Sequence, residues 1–146
     1  MTRNFLTETW HFLRSYFSSR PSYCIFFVTA VCNARCKHCF YWEEIGSAKA
    51  SKELKLEEIR KIADSLDLIY LSIGGGEPFI RPDLAEVVRA FYEGSGLLYC
   101  NIVTNGYYVD KTRAVVGKIL KDCPRLKLKI QVSIDDFEDA HDENRK

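Results

Sequence analysis

The chain has 146 residues, 47% of them apolar and 28% charged, which is enough for one ordinary domain with a packed core and a solvated surface. Twenty-one Lys and Arg nearly cancel twenty Asp and Glu, leaving a formal charge of +1. That balance gives no electrostatic argument for nucleic acid, an anionic membrane or an acidic substrate.

The longest strongly apolar stretch, residues 24–31, is too short to span a bilayer. Glu8, His11 and Arg14 interrupt what would be the apolar region of a signal peptide. The six cysteines are therefore expected in a reducing, cytoplasmic setting, as metal ligands, catalysts or small buried hydrophobes rather than disulfides.

Residues 4–18 read as an amphipathic helix, with Leu6, Trp10, Leu13 and Phe17 at near-helical spacing. Its apolar face is expected to cover part of the domain's own core, although its arginines and aromatics would also suit a membrane surface or a partner. Residues 23–31 form an aromatic and β-branched strand that runs straight into a cysteine loop. Residues 43–53 are polar and loop-like. A helix over about 56–66 follows, with Ile59, Ile62, Ala63 and Leu66 on one face and Glu57 and Glu58 near its positive end.

The pattern then recurs in kind. A strand over 69–73 enters Gly74-Gly75-Gly76-Glu77-Pro78, and a helix from about Pro82 carries Leu84, Val87, Val88 and Phe91 on one side. Asp83 supplies early negative charge to it, and Gly94 and Gly96 end it. A strand over 97–103 closes on Thr104-Asn105-Gly106. A helix over about 111–122 carries Val116, Ile119 and Leu120 and stops before Pro124. A last strand spans 126–135. Strands alternating with helices predict βαβ units, a parallel sheet and right-handed crossovers. Each unusual segment follows a strand, at the edge where α/β sheets and barrels build their sites.

The last strand alternates strictly. Leu126, Leu128, Ile130, Val132 and Ile134 form an apolar face expected to pack on helices, and Lys127, Lys129, Gln131, Ser133 and Asp135 form a polar one. A polar second face suits either the lumen of an open barrel holding a polar ligand or an edge strand wetted on one side.

Cys32, Cys36 and Cys39 have the spacing C-x3-C-x2-C. Thiolates favour iron–sulfur clusters, zinc and copper(I). Structural zinc wants four ligands, and His38 is poorly placed between Lys37 and Cys39 to be the fourth. Three thiolates on a cubane leave one iron open. Cys24, Cys100 and Cys123 are scattered and read as buried small hydrophobes.

The segment from Cys32 to Cys39 resembles the cluster-binding motif of the radical SAM superfamily. Gly74-Gly75-Gly76-Glu77-Pro78 resembles its GGEP motif, and Thr104-Asn105-Gly106 a segment common after its third strand. Ser133-Ile134-Asp135-Asp136, with His141-Asp142-Glu143-Asn144-Arg145 beyond, resembles the S-x-D-G and H-D-x-x-R segments of SPASM-like and MoaA-like members, though Asp136 stands where glycine is usual.

The resemblance implies an α/β fold, a partial (β/α) barrel of about four parallel strands over residues 22–146, preceded by an extension over 1–21. It implies that Cys32, Cys36 and Cys39 hold a 4Fe-4S cluster whose open iron chelates S-adenosyl-L-methionine. It also implies reductive cleavage to a 5′-deoxyadenosyl radical that abstracts hydrogen from a substrate. Cofactor-binding roles fall on His38 beside the adenine, Gly74, Gly75 and Gly76 beside the methionine moiety, and Ser133 on the lumen face. Glu77 is an orienting residue for the glycine loop, with direct contact less secure, and Asn105 either reaches the ligand or forms the turn. No catalytic residue beyond the cluster is expected. An external electron donor of flavodoxin or ferredoxin type is implied. A six-unit core has only four strands here, so the chain is expected to be a fragment or to need a partner completing the barrel. The alternative is a non-catalytic iron–sulfur or zinc-binding protein derived from the same fold.

Overall fold

A computed structural model describes residues 5–47, 53–135 and 138–145. Four strands form one parallel sheet in the order β1-β2-β3-β4: β1 (Tyr23–Thr29), β2 (Tyr70–Gly75), β3 (Tyr99–Thr104) and β4 (Lys127–Val132). Helices α3 (Leu56–Asp64), α4 (Leu84–Gly94) and α5 (Val109–Asp122) provide the crossovers. Helix α1 (Phe5–Phe17) precedes β1, the short helix α2 (Trp42–Ser47) follows the cysteine loop, and α6 (Glu138–Asn144) follows β4. The architecture is the expected α/β partial barrel.

The core lies between the sheet and α3, α4 and α5. Leu71 and Ile73 from β2 and Cys100 and Ile102 from β3 meet Ile59, Ala63, Leu84, Val87, Val88, Phe91 and Ile119 from the helices, all nearly or fully buried. The two-residue period of a strand turns the alternate side chains to the opposite, inner face. On that face Ile25, Phe27, Lys129 and Gln131 are exposed. β4 is an edge of the sheet with its polar side chains on the inner face, as the reading of an edge strand wetted on one side requires.

Several expectations needed correction. Residues 42–47 form a helix rather than a loop, started by Glu43 and Glu44 at its positive end; residues 48–52 lie outside the described residues. The apolar face of α1 does not cover the core: Trp10, Leu13 and Phe17 are exposed. The helix is instead tethered by polar contacts, with Arg14 paired to Asp67 and Ser18 Oγ donating to the same carboxylate at 2.8 Å. The faces of two crossover helices are narrower than their spacing predicts, since Ile62 and Leu120 are exposed, as are Val132 and Ile134 at the end of the last strand. Asp83 stands at the N-terminus of α4 but makes no side-chain cap; its carboxylate accepts from Arg81 Nε at 2.7 Å. Asp136 lies outside the described residues.

Arg81 had no sequence signal and proves to be a structural anchor. Its guanidinium is buried and donates to the carbonyls of Val28 and Leu54, both at 2.9 Å, tying the end of β1 to the start of α3.

Candidate functional site

The four strand ends carry the cysteine loop, the glycine run, the Thr-Asn-Gly turn and Ser133 to one edge of the sheet. There they border a cleft of about 200 Å³. Cys32, Cys36, His38 and Cys39 line one wall, Gly75 and Gly76 the floor, and Thr104, Asn105, Ser133 and Arg145 the other side. Gly74 and Glu77 are not among the lining residues.

Backbone-to-backbone contact fixes the floor. Gly76 N–H donates to Thr29 O at 2.8 Å and Glu77 N–H to Val31 O at 2.9 Å. The chain segments are so close that a Cβ on Gly75 would lie 2.2 Å from Thr29 O, and one on Gly76 2.2 Å from Val31 O. Gly75 also has φ +119°, a region L side chains rarely adopt. The glycines are thus required by the chain's own strap against the cysteine loop, a reason the sequence did not supply. Gly74 is different, since a Cβ there would make ordinary contact with the Phe27 ring at 3.7 Å.

Glu77 is 1% exposed and holds three donors. Oε1 accepts from Phe79 N–H at 3.1 Å and Thr104 Oγ1 at 2.9 Å, and Oε2 accepts from Asn105 N–H at 2.8 Å. This carboxylate binds the glycine run to the turn after β3. Asn105 completes the turn, its Oδ1 accepting from Tyr107 N–H at 3.0 Å, and reaches across to Asn33 Oδ1 through Nδ2 at 2.9 Å. Its turn and its link to the cysteine loop therefore coexist. Gly106, at φ +81°, carries the chain through the turn.

The far wall adds residues whose roles the sequence left unassigned. Asp135 receives Arg145, with Nε at 2.7 Å and Nη2 at 2.8 Å, and His38 Nε2 lies 3.6 Å from the same carboxylate. Lys37 N–H donates to Asn144 O at 3.0 Å. The segment after β4 thus braces the residues between the second and third cysteines. The Arg145 guanidinium holds the Asp135 carboxyl below its ordinary range. The signal that could have found this was the ten-residue interval between Asp135 and Arg145, which brings the end of α6 back to the strand end.

Cys32, Cys36 and Cys39 all border the cleft, and three thiolates are the donor set that a cluster with one open iron would use. Burial pushes the Cys32 and Cys36 thiols up; the Ala34 N–H, 3.4 Å from Cys32 Sγ, and Arg145 beside Cys36 act the other way. Cys100 and Cys123 are buried away from the cleft, and Cys24 packs against the core.

Residues 26–146 match the family model described as the Radical SAM superfamily. The chain belongs to the radical SAM superfamily. Members of that family use a 4Fe-4S cluster and S-adenosylmethionine. Over 100 residues the chain is 34% identical to molybdenum cofactor biosynthesis protein 1 of Homo sapiens, covering 65% of this chain and 15% of that protein. Over 86 residues it is 40% identical to GTP 3′,8-cyclase 1 of Mycobacterium tuberculosis, covering 51% and 23%. The crystal structure of Streptococcus suis SuiB bound to S-adenosylmethionine superposes with a TM-score of 0.60 at 16% identity, covering 96% of this chain and 31% of that one. That likeness shows the fold. The matched segments span only 15% and 23% of the two curated relatives.

Proposed function

We propose that this chain forms the cofactor-binding half of a radical SAM active site. Cys32, Cys36 and Cys39 each ligate one iron of a 4Fe-4S cluster. His38, Gly75, Gly76, Asn105 and Ser133 face S-adenosylmethionine from the strand ends, with Gly74 one residue behind them on β2, and residues 22–146 make up the core that holds them. When bound, the two groups supply one-electron reductive cleavage of a sulfonium and hydrogen-atom abstraction from a substrate. The observation that carries this reading is the meeting of the three thiols, the glycine floor and Ser133 around one cleft.

The chain's own residues do the positioning. Gly75 and Gly76 keep the floor free of side chains. Ser133 presents a hydroxyl that both donates and accepts. Glu77 acts beneath the floor as a positioning residue, since its oxygens already hold three internal donors. The reading includes an external one-electron donor of flavodoxin or ferredoxin type, and further chain or a partner that closes the barrel.

Anaerobic reconstitution tests it. The expected result is iron near four per chain (lost when Cys32, Cys36 or Cys39 is replaced by Ala) and 5′-deoxyadenosine formed from S-adenosylmethionine with dithionite. Stoichiometric zinc, or a cluster whose spectrum ignores S-adenosylmethionine, would overturn it in favour of a non-catalytic metal-binding protein.

A further inference from the structure

The inner face of the sheet is divided by charge. On β1 it shows Ile25 and Phe27, with Phe27 in ring contact with Phe40 and Tyr41 at 5.9 and 5.5 Å between centroids. On β4 it shows Lys127, Lys129 and Gln131. The four strands contain no Asp or Glu, so nothing on the sheet itself balances the two lysines. Lys127 is engaged at the far end of the strands, its Nζ 2.7 Å from Tyr99 Oη. Lys129 is exposed, and no carboxylate pairs with it among the described residues.

Beside Lys129 lies an unfilled acceptor. Asn101 is the register partner of Lys129 on one side and of Ser72 on the other. It is 5% exposed, and its Oδ1 is buried without a hydrogen-bond partner. Its Nδ2 donates to Gln131 Oε1 at 3.4 Å. Turning both amides over exchanges donor and acceptor but still leaves one Asn101 atom unpaired. A buried polar atom with no partner is unfavourable by about 1–3 kcal/mol, so such groups call for an explanation. Gln131, which holds the other side of the amide, is exposed and able to turn aside.

We infer that Lys129 and Asn101 form a substrate seat on the inner face, for a small molecule carrying an acid group next to a hydroxyl or amine. Lys129 takes the acid group, and Asn101 Oδ1 accepts from the neighbouring donor. This rests on the reading of the cleft above as the reaction site. Asn101 and Val103 point to the same face two residues apart, and Val103 lines the cleft, so the seat lies about 7 Å below the cleft wall. A molecule a few bonds long held there would place a C–H bond at the cleft. Carboxylate and phosphate both satisfy Lys129, and the test separates them.

The full chain, labelled with nitrogen-15, is titrated with glycerate, glycerol 3-phosphate, inorganic phosphate and glycerol, and amide shifts are followed. At least one of the two hydroxy-acids is expected to shift signals at Ser72, Asn101, Lys129 and Gln131, with glycerol inert. Which acid binds more tightly identifies the acid group. Lys129→Gln, at an exposed position, is expected to weaken binding about tenfold. Asn101→Ala is expected to remove the preference for glycerol 3-phosphate over inorganic phosphate. The seat is overturned by no shift with either acid, by binding that survives Lys129→Gln, or by glycerol binding as well as the acids do. Iron uptake is measured on the same preparations. Uptake without anion binding overturns the seat alone; anion binding without uptake overturns the cofactor reading and, with it, the seat's role as a substrate site, leaving only an anion contact at Lys129.

Discussion

The carboxylate of Glu77 accepts the backbone N–H of Asn105 at 2.8 Å, joining the loop after β2 to the turn after β3 inside the protein rather than at its surface. Two further donors, Thr104 Oγ1 and Phe79 N–H, converge on the same carboxylate. Glu77→Gln replaces one acceptor oxygen with an NH2 group that faces a donor. The variant is expected to be less stable by about 2–3 kcal/mol, the scale of a buried charge-assisted hydrogen bond lost. Urea denaturation of the wild-type and variant chains measures this.

The glycine run should respond unevenly to alanine. Gly75→Ala drives a Cβ to 2.2 Å from the carbonyl oxygen of Thr29 at the end of β1, and Gly76→Ala to 2.2 Å from that of Val31 in the loop after it, and neither partner is a flexible side chain that could yield. Both are expected to lose most of the iron taken up on reconstitution. Gly74→Ala meets only the Phe27 ring at 3.7 Å and should keep it. Iron per chain, set against circular dichroism of the same samples, distinguishes a lost site from a lost fold.

Thiol reactivity separates the two sets of cysteines. Burial pushes Cys100 up to about 12 and Cys123 to about 11, so at pH 8 almost none of either is thiolate. Iodoacetamide applied to the metal-free native chain at pH 8 is expected to label Cys32, Cys36 and Cys39 and to spare Cys100 and Cys123. Peptide mass spectrometry reads the pattern, and denaturation should abolish it.

Acid should release helix α1. Ser18 Oγ and Arg14 hold the Asp67 carboxyl below its ordinary range. A carboxyl whose folded value is depressed stabilises the fold above its unfolded value, and that contribution fades as pH falls through the folded one. Amide exchange in α1 is therefore expected to speed up, after correction for the intrinsic rate, only as pH falls below about 4, ahead of exchange in β2 and β3. Asp67→Asn should produce the same loosening at neutral pH.

Much of the fold was legible because the sequence is locally consistent. Each apolar run that became β1, β2 or β3 ends at a residue cluster that cannot continue a strand, and Leu84, Val87, Val88 and Phe91 mark the buried side of α4 without ambiguity. The site was legible as a place, since four strand ends must meet at one edge of a parallel sheet. The supports beneath it were less so. Nothing in the spacing of Arg81 says that its guanidinium will reach Val28 and Leu54, because those contacts join segments far apart in the chain. The resemblance places Gly75 and Gly76 beside a ligand, whereas the nearest obstacle to a side chain there is the backbone at Thr29 and Val31. Helix α1 misled for another reason. Its spacing is amphipathic, but periodicity shows only that a helix has two faces, not which partner covers the apolar one.

Placing every crossover helix on one side of the sheet separates two kinds of selection within the same strands. Leu71, Ile73, Cys100 and Ile102 answer to packing, and a change there is felt throughout the core. Ser72 and Asn101 between them, and Lys129 and Gln131 on β4, answer to whatever occupies the inner side. Where such a residue is exposed, as Lys129 and Gln131 are, it can be exchanged for a new chemical preference at little cost in folding energy, whereas buried Asn101 answers to both demands.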